Sequence, residues 1–447
     1  MKPASGLRTF STIWFGQFVS TIGSGLTGFA VGVWIYQTTG SVTDFALSNV
    51  FYLVPFIALG PVAGALVDRW DRRWVMIIAD AGQALGTLAI ALLYWTGHLQ
   101  VWHIYITIAT SSILGAFQRP AYSASVTLLV PKEQLGRAGG MGQLKDAVSG
   151  LVTPTLAGFL VVAFGLTGVI LIDFATFLFA VTTLLLVRIP SPEPSSEIKQ
   201  RNLRQDIAFG VKHIVARPGL FGLLVIYAFL NLFTNAAGVL TAPMVLSFAP
   251  ASVLGIVSSV GGAGLLTGGL LMSLWGGPKR LIHGALGMIF LTGLGFIITG
   301  LRPSAVFIAT GTFLRMFAFA VMAASAGALW QRKVAPDLQG RVFATRFMIS
   351  ASIEPLAHAS IGPLVDRFFG PWLMTGGLLA GSVGAIIGLG PGRGMGFVNV
   401  VMGILILLLG VIGYVYPRVR RVEDELPDAT PGQPTLDPSP RTEALPA

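Results

Sequence analysis

Four polar residues recur at every fourth position in an apolar stretch near residue 350, a spacing that places them on one face of an α-helix. They are Arg346, Ser350, Glu354 and His358. A carboxyl group in an apolar setting can take up and release a proton, and Arg315 in the preceding apolar stretch can pair with its ionised form. We interpret Glu354 as the proton-exchanging carboxylate and Arg315 as its partner when it is ionised. His358 would act as a relay, and Arg346 shares their face.

A second interpretation of these residues is that Arg315 and Glu354 form a permanent ion pair that only orients two helices. A nearby guanidinium stabilises an ionised carboxylate. Proton exchange therefore requires the pair to separate in one conformational state. The sequence leaves both interpretations open.

Two further helical stripes in apolar segments are polar but uncharged. One comprises Tyr227, Asn231 and Asn235, and the other comprises Gln17, Thr21 and Ser24. Uncharged polar groups with aromatic neighbours suit an amphipathic organic ligand, so we predict that these stripes line a substrate cavity. Hydrogen bonding between helices, which contributes about 0.6 kcal/mol per bond in membranes, is an equally open interpretation.

Other kinds of chemistry lack the residues that they need. The chain has no cysteine, its five histidines are scattered, and no G-x-x-x-x-G-K-[ST] motif occurs. Residues 23–28 match G-x-G-x-x-G, but they lie in an apolar run with no preceding strand. No G-x-S-x-G motif with a plausible base is present. The sequence thus predicts a protein that is not an enzyme and that binds no metal or other cofactor.

Membrane helices must position these residues. Hydrophobic residues make up 53% of the 447-residue chain and charged residues 11%, less than half of the roughly 25% found in soluble proteins. A membrane helix needs ~20 mostly apolar residues, a length that predicts an all-α integral membrane protein with twelve spans. The predicted spans are 10–36, 44–67, 74–96, 102–124, 139–163, 168–187, 219–247, 253–275, 281–300, 303–330, 342–365 and 395–416.

The spans fall into two groups of six. The N-terminal half is predicted at 1–190, a polar cytoplasmic linker at 191–218 and the C-terminal half at 219–422. The Gly-rich insert 366–394 is expected outside the cytoplasm, without adding a thirteenth span. The acidic, Pro-rich tail 423–447 is expected to be disordered and cytoplasmic.

The basic residues set the predicted orientation. The formal net charge is +10, and with both termini in the cytoplasm all but four of the 29 Lys and Arg residues lie on or near the cytoplasmic side. This is the positive-inside pattern of membrane proteins. It accounts for the basic composition without a nucleic-acid partner, because no basic patch with interleaved aromatic residues lies on a soluble module. We expect a multi-pass protein of the plasma (inner) membrane, with the lipid bilayer as its surroundings.

The two halves contain a weak internal sequence repeat. Residues 130–137 (VPKEQLGR) precede the fifth span and residues 335–341 (APDLQGR) precede the eleventh, and Pro154 corresponds to Pro355 inside those spans. The offset is about two hundred residues in both places. Internal repeats of this kind build many secondary transporters, so we expect two pseudo-symmetric six-helix halves.

The loop between spans two and three carries a charged motif. Residues 60–73 read GPVAGALVDRWDRR and resemble the loop 2–3 signature G-x-x-x-D-R-x-x-R-R of the major facilitator superfamily, although Asp71 stands where that family commonly has Gly. The matching residues are Gly64, Asp68, Arg69, Arg72 and Arg73. The resemblance implies a gating motif, in which Gly64 lets two helices approach closely and Asp68 contacts arginines in one state. Asp80, one turn inside span three, is expected to pair with this cluster.

Within this superfamily the chain resembles the drug:proton antiporter-3 branch, which includes macrolide efflux proteins and the enterobactin exporter. The residues that carry the resemblance are 117–121 (FQRPA), Val130 with Pro131, Pro154 with Gly158, and Ile172 with Asp173. Branch members often have an acidic residue directly after a glycine in span one, where this chain has Ser24 after Gly23. Span six is peripheral in the family, so a structural role is expected for Asp173.

The resemblance implies a secondary transporter that exports a hydrophobic or amphipathic small molecule, such as an antibiotic or a siderophore. Proton antiport with alternating access is expected, with the proton gradient as the energy source and a monomer as the working unit. The Arg315–Glu354 pair would then face the central cavity of the family. Two alternatives stay open: an uptake facilitator, or a transport-inactive sensor or assembly partner of a biosynthetic complex, which only the soluble tail 423–447 supports.

Overall fold

A computed structural model describes residues 3–67, 70–131, 134–187 and 203–428. Every regular element within these ranges is a helix, and none of these residues forms a strand. The predicted all-α fold is therefore confirmed, and its helices are long enough to cross a bilayer at ~1.5 Å per residue.

The N-terminal half consists of five long helices. They are α1 (Pro3–Thr39), α2 (Val42–Val67), α3 (Arg72–Trp95), α4 (Val101–Leu129) and α5 (Leu135–Leu186). The 52 residues of α5 do not form one straight rod, because Gly165 has φ 64° and ψ −173°. A left-handed φ of this kind is accessible to glycine without strain. The bend divides α5 into the two segments predicted as spans five and six.

The C-terminal half follows a helix that lies within the predicted linker, α6 (Leu203–Val215). Its long helices, in chain order, are α7 (Pro218–Gly238), continued by the short α8 (Thr241–Leu246), then α9 (Ala251–Trp275), α10 (Leu281–Leu301), α11 (Ala305–Lys333), α12 (Pro336–Leu364) and, after two short helices in the insert, α15 (Arg393–Val415). Each of the twelve predicted spans thus has a helical segment in the described part of the chain.

Two of these helices are less apolar than the others. Nine helices of the described residues are long and apolar enough to cross a membrane by composition alone, with the bent α5 counted once. The 29-residue helices α4 and α12 are not among them. Both carry polar residues, including Gln118 on α4 and Glu354 on α12. Their lower hydropathy reflects side chains turned toward other helices rather than toward lipid.

The helix pairs of one half recur in the other. In the N-terminal half α2 packs on α4 and α3 packs on α4, and their counterparts are α9 on α11 and α10 on α11. Between the halves, α5 packs on α9 and α2 packs on α12. The positions of these pairs repeat the internal symmetry that the sequence repeat predicts.

The halves touch at one end of the bundle, here called the loop end because it carries residues 40–41, 97–100 and 366–392. A β-carbon built on Gly158 of α5 would lie 2.6 Å from the carbonyl oxygen of Ala251, and one on Gly362 of α12 would collide with Thr43 of α2. Only glycine lets backbones approach this closely.

The opposite end of the bundle, here called the linker end because α5 finishes and α6 begins there, is more open. In the same helices, β-carbons built on Gly139 and Gly142 of α5 and on Gly269 of α9 would meet no atom of the described part of the chain within 4 Å. The contact between α5 and α9 therefore tightens toward the loop end.

The insert and the tail differ in how far they are ordered. The insert contains a π-helical turn (Val365–Phe369) and two short helices, α13 (Gly370–Trp372) and α14 (Val383–Ile387), so residues 366–392 add no long helix. The chain stays folded past residue 422, through α16 (Pro417–Arg420) and α17 (Val422–Glu425). The prediction of disorder from residue 423 is thus wrong for residues 423–428, and 429–447 lie outside the described residues.

The segment 423–428 is held by Lys333 at the end of α11. The ammonium donates to the carbonyl oxygens of Glu423 (2.8 Å) and Leu426 and lies 2.9 Å from Oδ1 of Asp428. It lowers the pKa of Asp428 by this hydrogen bond and by its charge. The carboxylate of Glu423 in turn accepts from the backbone N–H of Ile282, the second residue of α10. The acidic sequence therefore caps a helix and neutralises a buried lysine.

Replacing Lys333 by Met should release this segment. The three contacts to a nine-tenths buried ammonium are charge-assisted, and each such hydrogen bond contributes about 1.5–3 kcal/mol. We expect limited trypsin digestion after Arg418 and Arg421 to become about tenfold faster, with Lys279→Met, a change at an exposed lysine of the same end, as the control. Equal digestion rates for the two variants would contradict the anchoring role.

Candidate functional site

A cavity of about 330 Å³ lies in the N-terminal half, nearer the loop end. It is lined mainly by α1, α2, α3, α4 and the second segment of α5, with Ala242 and Leu254 from the C-terminal half. The lining mixes aromatic and small polar side chains. Those that matter below are Ser24, Thr27, Tyr52, Gln83 and Asp173. A pocket of this size and composition accepts part of an amphipathic organic molecule.

Asp173 contributes a carboxylate to this cavity. The residue is fully buried, and its Oδ1 accepts a hydrogen bond of 3.4 Å from Thr176. Its Oδ2 has no hydrogen-bond partner of ordinary geometry among the described residues. The same carboxylate faces Gly23 of α1, because a β-carbon there would lie 2.7 Å from Oδ1. The sequence predicts a peripheral, structural Asp173, whereas in the structure Asp173 lies beside the cavity.

Asp80 lies at the centre of a network of glutamine amides. Nε2 of Gln17 donates to its Oδ2 at 2.9 Å, and Nε2 of Gln118 donates to its Oδ1. Gln83 extends the network by donating to Oε1 of Gln118 at 3.1 Å. Asp80 is 1% exposed, and a buried carboxylate needs hydrogen-bond partners. Here the partners are amides rather than arginines. The predicted pairing of Asp80 with the loop arginines is corrected accordingly.

The loop motif is only partly described. Asp68 and Arg69 lie outside the described residues. Arg73 donates from Nε to the carbonyl oxygen of Leu184 and from Nη2 to that of Leu185, both at 2.8 Å, and so fastens α3 to the end of α5. Arg72 also makes a contact. A β-carbon on Gly64 would meet none of the described atoms within 4 Å, so the close helix approach expected there is not seen among the described residues.

The departure of the motif from the family pattern has a structural role. Asp71, which replaces the usual Gly, is the N-cap of α3. Its Oδ1 accepts from the backbone N–H groups of Arg73 (2.9 Å) and Trp74 (3.3 Å). A side-chain oxygen at this position satisfies N–H groups that the helix itself leaves unpaired.

The polar face of α12 does not contact Arg315. The guanidinium of Arg315 donates to the hydroxyls of Thr312 (3.1 Å) and Thr241 (3.4 Å) and lies 4.2 Å from the ring centroid of Phe296. Among the described residues, Glu354 forms no ion pair, and α11 and α12 do not pack closely. The expected Arg315–Glu354 pair is therefore absent here, because α12 packs on α2, α6 and α7, whereas α11 packs on α9 and α10.

The other residues of that face have their own neighbours. The guanidinium of Arg346 lies 5.2 Å from the ring centroid of Trp330. His358 is 7% exposed and its Nδ1 has no partner among the described residues. Glu354 is half-buried one turn before it. Because both residues lie within α12, the carboxyl group of Glu354 and the imidazole of His358 share one helix face.

The predicted cavity residues separate into two groups. Ser24 lines the cavity, whereas Gln17 is engaged by Asp80 and Thr21 donates to the carbonyl oxygen of Gln17. Tyr227 is partly buried, with a buried hydroxyl that has no partner among the described residues, and Asn235 donates to the backbone carbonyl of Asn231. None of these last five residues lines the cavity described above.

A carboxylate that the sequence did not single out joins the two halves. Asp366 lies in the π-helical turn that follows α12. It accepts a hydrogen bond from Ser41 Oγ (3.0 Å), just before α2, and three from the first two residues of α2: Val42 N (3.1 Å), Thr43 N (2.9 Å) and Thr43 Oγ1 (2.7 Å). Its negative charge lies at the N-terminus of α2, where backbone N–H groups and the helix dipole stabilise it. Nothing in the sequence signalled this contact, because Asp366 and Thr43 are 323 residues apart.

Comparison with known proteins decides the family. The family model of the Major Facilitator Superfamily matches residues 13–357, which is most of the chain. The chain belongs to the major facilitator superfamily. This superfamily protein is a multi-pass membrane transporter and not an enzyme, as the sequence predicts.

Two kinds of relatives within the superfamily are named as efflux or export proteins. Macrolide efflux protein A of Streptococcus pyogenes is 30% identical over 381 residues, covering 83% of this chain and 93% of that protein. The enterobactin exporter EntS of Shigella flexneri is 27% identical over 217 residues, 48% of this chain and 52% of EntS. The resemblance predicted from the motifs is therefore confirmed.

Solved structures share the superfamily fold. The nucleoside transporter NupG (D323A mutant) superposes with a TM-score of 0.70 at 12% identity, covering 90% of this chain and 99% of NupG. A bacterial homologue of the lysosomal transporter Spinster gives 0.69 at 15% identity, covering 95% and 99%. At these identities the likeness concerns the fold alone.

Proposed function

We propose that this protein exports a hydrophobic or amphipathic small molecule across the plasma (inner) membrane in exchange for protons. It works as a monomer with both termini in the cytoplasm, and the proton gradient is its energy source. The similarity to macrolide efflux protein A over 93% of that protein's length carries the export proposal. The apolar cavity with interspersed hydroxyl and amide groups supports the substrate class.

The contacts between the halves support the proposal of alternating access. With the orientation that the basic residues favour, the linker end is cytoplasmic, so the conformation described here is closed on the outer side. In this proposal outward opening separates α5 from α9 and α2 from α12, and the Asp68–Arg73 loop stabilises one of the two states. Each substrate released outside is then exchanged for a proton.

Glu354 remains our proposal for the proton-exchanging carboxylate, now without Arg315 as its partner. It is half-buried on α12, a helix that contacts the other half. Among the described residues it has no ion-pair partner, and ionisable side chains within membrane helices are costly and commonly functional. Arg315 acts as a structural link among α8, α10 and α11.

The test of this function uses purified protein in inverted proteoliposomes with an imposed pH gradient. We expect a fluorescent macrolide to accumulate against its own gradient, and to stop doing so when an ionophore collapses the pH difference. Accumulation only in right-side-out vesicles would instead indicate uptake. A total lack of movement for several macrolides and siderophores would count against export of this substrate class.

Glu354→Gln should lose proton-driven accumulation and keep downhill movement. The amide has the size of the protonated carboxyl but cannot release a proton. We expect accumulation to fall by at least about tenfold, the effect typical of removing a proton-transfer group. Ser350→Ala, one turn earlier on the same face, is the matched control. If Glu354→Gln accumulates substrate as the unsubstituted protein does, Glu354 is structural and the proton site lies elsewhere.

A further inference from the structure

The cavity in the N-terminal half has the chemistry of a site for an organic cation. Its described lining includes one carboxylate, Asp173, and no Lys, Arg or His. One basic side chain touches the lining, since Arg119 donates to the hydroxyl of Tyr52 at 3.3 Å. The guanidinium of Arg119 also lies 4.7 Å from the ring centroid of Phe56. No described contact joins a basic group to Asp173.

The carboxylate of Asp173 is only partly satisfied by the protein. Its residue is fully buried, Oδ1 has one long hydrogen bond from Thr176, and Oδ2 has none of ordinary geometry, with the Thr27 hydroxyl beside it. Asp80, the other buried carboxylate of this half, shows the contrast, because amides engage both of its oxygens. A buried carboxylate without a partner requires a cation or a proton to complete it.

The rest of the lining suits an apolar body attached to such a cation. Phe29, Phe45 and Phe177 contribute ring surface, and Ser24, Asn49 and Gln83 contribute uncharged polar groups. Aromatic faces attract organic ammonium groups and also bury apolar surface. An anion would meet Asp173 and would be repelled.

We propose that this cavity binds an amphipathic organic cation, with a protonated amine at Oδ2 of Asp173 and its apolar part against the aromatic residues. The inference rests on the proposed export function and specifies the class of molecule exported. It assigns substrate recognition to the second segment of α5, whereas proton exchange is assigned to α12.

The first test needs only the unsubstituted protein and two matched probes. One is the dansyl amide of 3-(dimethylamino)propylamine, which carries a protonated tertiary amine at neutral pH. The other replaces that nitrogen by CH and is uncharged. We expect the cation to bind the purified protein in nanodiscs at least about tenfold more tightly than its neutral analogue, measured by dansyl fluorescence and corrected with empty nanodiscs. Equal affinities would overturn the proposal.

Asp173→Asn then assigns the preference to one residue. The amide keeps the size of the side chain and removes its charge, so the cation should lose about tenfold in affinity while the neutral analogue is unaffected. Asp146→Asn, on the same helix but with its side chain 70% exposed, is the matched control. A parallel loss of both probes, or a cation preference that survives in Asp173→Asn, would refute the assignment to Asp173.

The two proposals fail in different ways. A charge preference at Asp173 without proton-driven accumulation in proteoliposomes would contradict the antiport function and leave the cation site standing. Accumulation of neutral compounds, together with equal binding of the two probes, would support export and refute the cation site.

Discussion

Replacing Asp366 by Asn is expected to open the loop end of this transporter. The carboxylate accepts four hydrogen bonds from Ser41, Val42 and Thr43, all in the other half. An amide has one acceptor oxygen and turns an NH₂ group toward one of these donors. Hydrogen bonds to a charged group contribute about 1.5–3 kcal/mol each, so losing one shifts the balance of states by about tenfold or more.

The change is measured with spin labels at exposed positions of the loop end. Cysteines introduced at His98 and Arg302 place one label on each half, and the chain has no other cysteine. Double electron–electron resonance should show a longer distance in Asp366→Asn. Arg367→Gln, which changes the charge of the exposed neighbouring residue, should leave the distance distribution unchanged. Identical distributions for Asp366→Asn and its parent would show that this carboxylate does not hold the halves together.

A disulfide between α5 and α9 is expected to stop transport reversibly. The hydroxyl oxygens of Thr155 and Ser259 are 2.7 Å apart, so cysteines at these two positions bring their sulfur atoms within bonding reach. Once oxidised, the pair fixes the loop end in its closed form, and a transporter that alternates between states cannot complete its cycle. We expect less than about a tenth of the transport to remain, and full recovery after reduction.

The same two helices provide the control. Gln143 lies twelve residues before Thr155 on α5, and Gly269 lies ten residues after Ser259 on α9. Both positions are therefore about 15–18 Å further toward the linker end, where a β-carbon on Gly269 would meet none of the described atoms. Cysteines at these positions should form a disulfide slowly. The single variants Thr155→Cys and Ser259→Cys should transport normally under oxidation. Undiminished transport by the oxidised Thr155–Ser259 pair would contradict alternating access through separation of α5 and α9.

The sequence predicts the fold well because the bilayer imposes long apolar segments. Each predicted span has a helical counterpart, and even the bend of α5 falls between spans five and six, at Gly165. The length of a membrane helix and the positive-inside pattern are strong constraints that need no knowledge of distant contacts.

The side-chain pairings were harder to predict. Arg315 and Glu354 have similar depths, but depth does not specify which side of a helix faces which neighbour, and their helices are not packed together. Asp80 is near the loop arginines in sequence, yet Gln17 and Gln118, from helices distant in sequence, satisfy it. The contact of Asp366 with the start of α2 spans more than three hundred residues of sequence. Helical spacing within one segment cannot reveal such pairs.

Several described attachments outside the spans stiffen the C-terminal half. The helix α6 packs on α12 and α7, and the segment 417–428 is fastened to α7, α10 and Lys333. We therefore expect the linker end of the C-terminal half to move as one rigid unit whenever the two halves separate.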